Sequence, residues 1–301
     1  MVETRPKKHL LMGFSTNLPA RHIRVFVDSF RAVYGPDEAD VVIITNAVDP
    51  DAGFEPTAVQ FQSTPSCYSR TMPQALKALL RGASFLHRVP PFRSMAVEAS
   101  HFALIEAYHH PHFARWFAYR RVMKVMPRYD RVFFADVKDV VFQDRFFDKL
   151  TPGAICAFED EAPYGDPDNW NDRWYRTAHG EAAYRDVVGR TPLCIGTIGG
   201  EHAVMDRLLD GFCAEIARSP FGKIEQAIFN RLYLTGQLPG EVSVFPNDLS
   251  SVATLGNDAI AAEVAVDGQV LTRESDGAVI PVVHMFDRHP RLNEAVTARY
   301  G

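Results

Sequence analysis

The first 45 residues alternate between strand-like and helix-like apolar patterns, and this alternation restricts the fold more than any other feature of the sequence. The run HLLMGFS is a strand-length apolar segment, and residues 21–34 then repeat apolar side chains at helical spacing until Gly35 and Pro36. ADVVIITN follows as a buried strand. A strand, a helix and a strand within this length predict a βαβ unit with two parallel strands in one sheet. The predicted class is therefore α/β.

The rest of the chain continues this alternation and adds antiparallel strands. Two helices separated near Pro111 are expected between Ser94 and Met126, and strands are expected in DRVFFAD, GAICAFED and PLCIGTIGG. Amphipathic helices are predicted in EHAVMDRLLDGFCAEIARS and in KIEQAIFNRLYLTG, the second of which ends at Gly236. Two Asp-Gly turns near the C-terminus predict hairpin strands, and residues 159–182 predict a long loop. The sheet is expected to be mixed.

Composition excludes several classes of protein. Of the 301 residues, 47% are hydrophobic and 23% are charged, a balance typical of a soluble globular protein, and the net charge of -5 argues against a nucleic-acid partner. The four cysteines are scattered at spacings that suit neither zinc nor a disulfide framework, so we expect reduced, mostly buried thiols. No apolar run approaches the roughly 18 residues of a membrane span, and no signal-peptide pattern is present. We therefore predict a cytoplasmic protein without a transmembrane segment.

Two carboxylates stand close together in RVFFADVKDVVFQDRFF. Asp136 ends a predicted strand, where ligands bind in parallel sheets, and Asp139 follows three residues later. Residues three apart on a continuing strand point to opposite faces, so the pair converges only if the backbone turns at Val137 and Lys138. Converging carboxylates repel one another, and a divalent cation such as Mg²⁺ or Mn²⁺ relieves the repulsion. Alternatively, Asp136 caps a turn and Asp139 pairs with Arg131 or Lys138 on the surface.

The same run resembles the metal-binding segment of GT-A glycosyltransferases, in families whose motif is D-V-R-D-V-V-F-Q. Upstream, ARWFAYRRVM resembles the Arg-aromatic helix of those families. Downstream, CIGTIGGEHAVMDRLL resembles the acceptor-side N-x-G segment, IEQAIFNRLY the D-Q-x-x-x-N helix, and VVHMFDRHP the C-terminal strand with a metal-binding His. The resemblance covers residues 8–300 in order. It implies a single GT-A domain over residues 1–301, a Rossmann-like mixed sheet with helices on both faces, with a nucleotide-sugar-binding half (1–150) and an acceptor-binding half (151–301).

The chain departs from the pattern of these families at two positions. Cys194 or Ile195 stands before Gly196 where the family usually has Asn. Glu225 begins the D-Q helix in place of Asp. The first departure leaves an amide contact to the acceptor or donor sugar open. The carboxylate of the helix is one methylene longer, and it can still serve if the backbone recedes.

For the metal, the resemblance implies three ligands. Asp139 is expected to bind the ion directly, and Asp136 to act as a ligand or as a ribose contact. His284 is expected to complete the shell of Mn²⁺ or Mg²⁺, although it can also be a structural histidine at a strand end. Asp287 and His289 share its loop and are reserve candidates.

For the nucleotide-sugar donor, the candidates are spread along the chain. Gly13, Ser15 and Thr16 are expected to follow the first strand and to contact the base or ribose, or else to form a plain strand-to-helix turn. Arg115 is expected to face the diphosphate, since guanidinium binds phosphate bidentately, or to be a surface residue of its helix. Gly196 is expected near the donor or acceptor sugar.

Neighbouring residues supply alternatives to these assignments. Arg120 or Arg121 can replace Arg115 as the phosphate contact. The histidines of residues 109–112 look like a metal cluster, but they stand beside Pro111 at a helix break, where we expect a solvated turn.

Four residues are candidates for the chemistry itself. Asp160 and Glu161 close the strand after the metal motif and can hold acceptor hydroxyls or act as a base, or they can form a solvated acidic loop. Glu225 and Gln226 are expected near the reacting face of the sugar if the reaction is retaining, although Glu225 can simply favour the positive end of the helix dipole. Gln226 and Asn230 share one helix face, as part of a polar wall or as a surface hydrogen bond.

Together these features predict a metal-dependent glycosyltransferase that moves a sugar from a nucleoside-diphosphate sugar to a carbohydrate or glycoconjugate acceptor, with retention somewhat favoured over inversion. One alternative is a sugar nucleotidyltransferase, but GFSTNLPARH is poor in the glycines of a triphosphate loop. Another is a nucleotide- or sugar-binding protein without catalysis. The basic helix ARWFAYRRVMKVM is expected to pack against the sheet, with peripheral membrane contact as the alternative.

Overall fold

The computed structural model describes residues 8–47, 53–55, 57–67, 95–166, 169–218 and 224–301, together with isolated residues between 75 and 85. Up to the metal motif the elements are β1 (His9–Ser15), α1 (Ala20–Arg31), β2 (Ala39–Thr45), β3 (Gln60–Ser63), α2 (Met95–Tyr108), α3 (Pro111–Met123) and β4 (Arg131–Asp136). They are followed by β5 (Val140–Phe142), β6 (Ile155–Glu159), α4 (Trp170–Arg185), β7 (Leu193–Glu201), α5 (His202–Arg218), α6 (Glu225–Leu234), β8 (Val242–Phe245), β9 (Val252–Thr254), α7 (Asp258–Ala262), β10 (Val264–Asp267), β11 (Val270–Arg273), β12 (Val282–His284) and α8 (Pro290–Tyr300).

A seven-stranded sheet forms the centre of the fold, in the order β3-β2-β1-β4-β7-β6-β8. β7 runs antiparallel to both of its neighbours, whereas the other pairings are parallel. The run β3-β2-β1-β4 matches the strand order of Rossmann-like sheets, in which ligands bind at the crevice where the order reverses, here between β1 and β4. The prediction of an α/β fold with a mixed sheet is confirmed.

Apolar side chains cover both faces of this sheet. Along β1, Leu10 and Met12 pack on one face against α2, α3 and α5, and Leu11 packs on the other face against α1. Since successive side chains of a strand point to opposite faces, a continuous apolar run is the pattern of a strand buried on both sides. In α3, Trp116 and Phe117 lie in the first of these cores, so this helix packs against the sheet as predicted.

A second, three-stranded sheet brings the C-terminal part of the chain beside the metal motif. Its order is β5-β12-β9, and β12 is antiparallel to β5, with His284 opposite Val140. The predicted hairpin is present as β10 and β11, joined across the turn at Gly268. The second Asp-Gly turn, at Gly277, is followed by a single isolated β-bridge, which joins Val279 to Thr272, and not by a strand.

The prediction of a long loop after β6 is wrong from Trp170 onward, because helix α4 begins there. Asn169 caps this helix, since its side chain accepts a hydrogen bond from the N–H of Asn171 at 2.8 Å. Two of the buried residues of α4 are the polar Asn171 and Asp172, and the non-helical Gly180 (φ 85°) kinks it. A helix that buries polar residues and bends in the middle shows little apolar periodicity, which is the signal on which the prediction depended.

Two predictions drawn from composition agree with the structure. The four cysteines are free, and Cys67 is exposed whereas Cys156, Cys194 and Cys213 are buried. Within the described ranges, no helix combines the length and the apolar character needed to cross a membrane.

Gly13 lies inside β1, not after the strand as predicted. A Cβ on this residue would fall 2.4 Å from Cγ2 of Val137 and 3.1 Å from Cδ1 of Ile43. The missing side chain therefore makes room for Val137, the first residue after Asp136. The group that approaches Gly13 closely, and therefore requires a glycine here, is the side chain of Val137.

We expect Gly13→Ala to lower the free energy of unfolding by about 1–3 kcal/mol, the usual cost of overpacking a core, as measured by urea denaturation. Val137→Ala removes the nearest clashing atom, so the double variant should be less destabilised than the sum of the two single variants. Strictly additive losses would show that the two residues do not interact.

Candidate functional site

The predicted metal ligands Asp136, Asp139 and His284 lie together at the carboxyl edge of the large sheet. β4 ends at Asp136, the chain turns over the next three residues, and β5 begins at Val140. Because β12 pairs with β5 in antiparallel fashion, His284 stands at the end of its strand beside this turn. The main chain fixes the arrangement further, since the N–H of Met285 donates to the carbonyl of Asp139 at 2.8 Å.

The side chains of the three residues point toward one another. His284 Nε2 is 3.8 Å from Asp136 Oδ2 and 3.6 Å from Asp139 Oδ1, and one ligand atom from each residue lies within 4.8 Å of the others. The predicted convergence of the two carboxylates is therefore confirmed. We call this group the carboxylate–histidine triad, and it can hold a metal ion.

The surface pairing offered as the alternative does not form. Arg131 pairs with Glu201 at 2.8 Å, and Lys138 pairs with Asp287 at 2.6 Å. Asp287, a reserve ligand, is thus held by Lys138. His289, the other reserve, lies 2.8 Å from the carbonyl of Leu255 through its Nε2.

Two observations show that the triad fits a cation. Asp139 Oδ1 and His284 Nε2 are buried and have no hydrogen-bond partner among the described residues, a costly state for polar atoms that a metal ion would relieve. Gly196 of β7 leaves open the space beside His284 and Asp136, since a Cβ there would fall 2.7 Å from His284 Nε2 and 3.0 Å from Asp136 Oδ2. The open space therefore adjoins one of the two unpaired atoms, His284 Nε2.

The opposite side of the His284 ring contacts a thiol. Its Nδ1 lies 3.6 Å from Sγ of Cys194, and both residues are buried. A partner on Nδ1 fixes the orientation of a metal-binding imidazole. Cys194, which stands where the resembled families usually have Asn, therefore supports His284 in this chain.

Arg115 of α3 bridges the triad to α6. Its Nη1 donates to Asp136 Oδ1, while its Nη2 donates to Glu225 Oε1 at 3.0 Å and to the carbonyl of Ile195 at 3.3 Å. Burial by itself would lower the pKa of Arg115, but Asp136 and Glu225 raise it above its ordinary value. The guanidinium is therefore a permanent cation that leaves Oδ2 of Asp136 facing His284. The predicted contact of Arg115 with a diphosphate stays a prediction.

The charge balance of the site suits a divalent ion. The guanidinium of Arg115 pairs with Asp136 and Glu225, and Asp139 adds a third carboxylate next to Asp136, so these four side chains carry a formal excess of two negative charges. Burial raises the pKa of Asp139 to about 6, with His284 opposing the shift and Asp136 adding to it. Two added positive charges would stabilise the ionised form of Asp139.

Arg120 and Arg121, the alternatives to Arg115, are engaged elsewhere. Arg120 pairs with Asp210 at 2.7 Å and Arg121 pairs with Glu106 at 2.7 Å. Of the three arginines on α3, Arg115 is the one that contacts the triad.

Asp160 and Gln226 form a hydrogen-bonded floor beside the triad. Asp160 Oδ2 accepts hydrogen bonds from Asn171 at 3.0 Å and from Gln226 at 2.8 Å, and its Oδ1 accepts one from the N–H of Glu161 at 2.8 Å. Gln226 in turn accepts from the N–H of Ile195 at 3.3 Å. Both oxygens of Asp160 are thus occupied, which makes it a structural acceptor.

Glu161 differs from Asp160 in having a free oxygen. Its Oε2 is buried without a hydrogen-bond partner in the part of the chain that the structure describes. Burial, followed by the neighbouring charge of Asp160, raises the pKa of Glu161. Of the two predicted base candidates, Glu161 has the properties of a group that accepts a proton.

Helix α6 holds β7 in an irregular shape that brings Gly196 to the triad. The pairing of β6 with β7 shifts register, because Ala157 pairs with Ile198 whereas the next residue, Phe158, pairs with Cys194. Asn230 accepts from the N–H of Leu193 at 2.7 Å and donates to its carbonyl at 2.9 Å. The hydrogen bonds of Asn230 to Leu193 and of Gln226 to Ile195 hold the bulged strand in place. The helix face that was predicted to be a polar wall is therefore buried against β7.

A cleft of about 420 Å³ opens over the triad. Ten of the predicted site residues line it: Thr16, Arg115, Asp136, Asp139, Asp160, Glu161, Gly196, Glu225, Gln226 and His284. Ser15 is buried within β1, and Gly13 packs against Val137, so the prediction that both follow the strand is corrected.

Several residues of the cleft wall were missed from the sequence, among them two tryptophans and two cationic side chains. Trp170 and Trp174 belong to α4, the helix predicted as a loop, and Lys138 and Arg288 flank the triad on its exposed side. The four-residue spacing of the two tryptophans was an available signal, since residues four apart share a helix face.

The histidines of residues 109–112 do not form a metal cluster of the described chain. His110 caps α3, because its side chain accepts a hydrogen bond from the N–H of His112 at 3.3 Å, and Pro111 takes the first helical position. The helix break is where the sequence predicted it. His109 is buried, which corrects the expectation of a solvated turn, and this burial lowers its pKa to about 4.

No family model and no curated protein sequence matches the chain.

We expect Gly196→Ala to weaken Mn²⁺ binding at least about tenfold, because the new Cβ would lie 2.3 Å from Cε1 of His284. Isothermal titration calorimetry measures the affinity, after thermal unfolding of the metal-free variant has shown that it folds. Thr197→Ala is the matched control, since its hydroxyl is buried and unpaired within the described ranges. Wild-type Mn²⁺ affinity in Gly196→Ala would contradict this placement of the ion.

Proposed function

We propose that the chain is a metal-dependent glycosyltransferase with a GT-A fold, which transfers a sugar from a nucleoside-diphosphate sugar to an acceptor hydroxyl. The observation that carries the proposal is the convergence of Asp136, Asp139 and His284 at the carboxyl edge of a Rossmann-like sheet. These residues belong to the two segments whose sequence resembles the metal-binding parts of GT-A enzymes.

The ligand set supports Mn²⁺ or Mg²⁺. Two carboxylates are hard oxygen donors, which both ions prefer, and the imidazole of His284 favours Mn²⁺. When bound, such an ion supplies Lewis-acid stabilisation of the charge on a departing nucleoside diphosphate. Arg115 keeps one oxygen of Asp136 occupied, so that the other oxygen, which faces His284, would be the one to hold the ion.

The donor fits the side of the cleft formed by β1 and β4. Phe14, Thr16 and Leu18 line this side, next to the point where the strand order reverses, and nucleotides bind at such crevices. Lys138 and Arg288 are the cleft cations nearest the solvent side of the triad and are suited to the phosphate oxygens. The nucleoside would thus lie over β1, and the sugar would extend toward β7 and β6.

The acid-base groups favour different stereochemical outcomes. The resemblance favours retention, with Glu225 or Gln226 beside the reacting sugar. Gln226 is engaged with Asp160 and Asn171, whereas Glu161 has the unpaired oxygen that a base for inversion needs. The anomeric configuration of the first product, measured by proton NMR, distinguishes the two.

A panel of nucleotide sugars with Mn²⁺ and mixed saccharide acceptors tests the proposal. Release of nucleoside diphosphate together with a glycosylated acceptor supports transfer. Release of pyrophosphate from a sugar phosphate and a nucleoside triphosphate would indicate a nucleotidyltransferase instead. Binding of a nucleotide sugar with no turnover in any mixture would indicate a binding protein.

We expect Asp139→Asn to reduce metal-dependent turnover by about 100-fold or more, because it removes a charged ligand of the ion. The metal-free variant should unfold at a temperature no lower than that of the wild type, since the substitution removes a buried charge that lacks a hydrogen-bond partner at Oδ1. Asp144→Asn is the matched control, because Asp144 lies in the same segment but is exposed. Wild-type turnover in a folded Asp139→Asn variant would reject the triad as the metal site.

A further inference from the structure

Two tryptophans stand one helical turn apart on the wall of the cleft. Trp170 and Trp174 lie on α4, with ring centroids 6.2 Å apart and ring planes inclined at 35°. Trp170 is 58% exposed, although an indole ring offers a large apolar area. The guanidinium of Arg173 lies 5.4 Å from the centroid of the Trp170 ring. Exposed aromatic rings that line a polar cleft are characteristic of a binding surface.

The helix that carries this pair of rings, the tryptophan platform, is fixed to the floor of the cleft. Asn171 lies between the two tryptophans in sequence, and its side chain donates to Asp160 at 3.0 Å and accepts from Gln226 at 2.7 Å. The first turn of α4 is therefore tied to the floor of the cleft by buried hydrogen bonds. Behind the helix, Tyr175 packs in a separate apolar cluster. A surface fixed in this way loses little conformational entropy when a ligand binds.

A hydrogen-bond acceptor lies at the start of the same helix. Glu161 Oε1 accepts from the side chain of Asn169 at 3.4 Å, which places the carboxylate next to the residue that precedes Trp170. Its Oε2 has no partner in the described chain, and both Glu161 and Trp170 line the cleft. Gly256 makes room for this carboxylate, because a Cβ there would fall 1.4 Å from Oε2.

We propose that Trp170, Trp174 and Glu161 form the acceptor subsite, and that its ligand is a neutral sugar ring. A pyranose has a flat face of C–H groups, which packs on an indole, and a rim of hydroxyls, one of which donates to the carboxylate of Glu161. Neither a bare apolar ligand nor an anionic one matches an aromatic surface beside an unpaired carboxylate. This inference rests on the proposed function, since it assigns the second substrate of the same cleft.

The position of the platform in the sheet favours a sugar over a nucleobase. The residues that line the cleft on the β1 side are Phe14, Thr16 and Leu18, whereas Glu161 follows β6, on the far side of β4 and β7. The triad at the end of β4 lies between these two sides. If the diphosphate of the donor lies at the triad and its base lies over β1, the platform remains available for the acceptor.

Tryptophan fluorescence tests the subsite without turnover. Of the three tryptophans, Trp116 is 0% exposed in the core, so a ligand-induced change in emission reports on the platform. The probes are maltotetraose, cellotetraose, mannotetraose and chitotetraose at millimolar concentrations, without metal or nucleotide. We expect at least one to change the emission of the wild type. No change with any of the four overturns the proposal.

Variants then assign the binding to the three residues. Trp170→Ala and Trp174→Ala should each weaken binding of that saccharide about tenfold, as measured by calorimetry, and Trp170→Phe should retain part of it. Val188→Ala is the matched control, because Val188 is 50% exposed and lies beyond the end of α4. Glu161→Gln should weaken saccharide binding while the emission change persists. Unchanged affinity in both alanine variants would overturn the assignment.

A last comparison separates this inference from the proposed function. Binding of uridine or guanosine diphosphate with Mn²⁺ should be the same in the wild type and in Trp170→Ala. If saccharide binding depends on the platform but no nucleotide sugar is turned over, the subsite stands and the glycosyltransferase proposal fails. If turnover occurs and the alanine variants have an unchanged acceptor KM, the proposed function stands and the subsite fails. Loss of nucleoside-diphosphate binding in Trp170→Ala would identify the platform as a nucleobase site and reject the inference.

Discussion

The buried guanidinium of Arg115 is the interaction on which the site depends. It joins three parts of the fold, because it contacts Asp136 at the end of β4, the carbonyl of Ile195 in the bulge of β7, and Glu225 at the start of α6. A buried charge is tolerated only when it is paired and hydrogen-bonded, so these carboxylates and this arginine require one another. The pairing also decides which oxygen of Asp136 faces His284.

β7 divides the cleft into two regions with different chemistry. On one side, β1 and β4 supply the crevice of a Rossmann-like sheet and the carboxylate–histidine triad. On the other side, Asp160, Asn171 and Gln226 form a hydrogen-bonded floor under α4, in which Asp160 supplies one carboxylate. Gly196, in the bulge of β7, touches the triad because it has no side chain. In the function we propose, the diphosphate of the donor would lie at the triad and an uncharged acceptor would lie over the hydrogen-bonded floor.

Much of this arrangement could be predicted from local sequence. The βαβ unit, the turn after Asp136 and the helix break at Pro111 follow from apolar spacing and from proline. The prediction failed where local signals and tertiary packing disagree. Helix α4 was missed because it buries Asn171 and Asp172, and Gly13 was assigned to a ligand although it accommodates Val137. The pairing of Arg115 with Asp136 and Glu225 could not be predicted because these two partners are distant from it in the chain.

By itself, the sequence determined the class of fold, the order of most of its elements and the residue types of a group that could hold a metal ion. These depend on periodicity and on side-chain chemistry, which are local properties. The tertiary structure decided which residues meet. His284 reaches Asp139 only because β12 pairs with β5, and the tryptophan platform faces the cleft only because Asn171 is bonded to Asp160 and Gln226. Contacts of this kind depend on strand pairing and packing between distant segments, for which a single sequence carries no local signal.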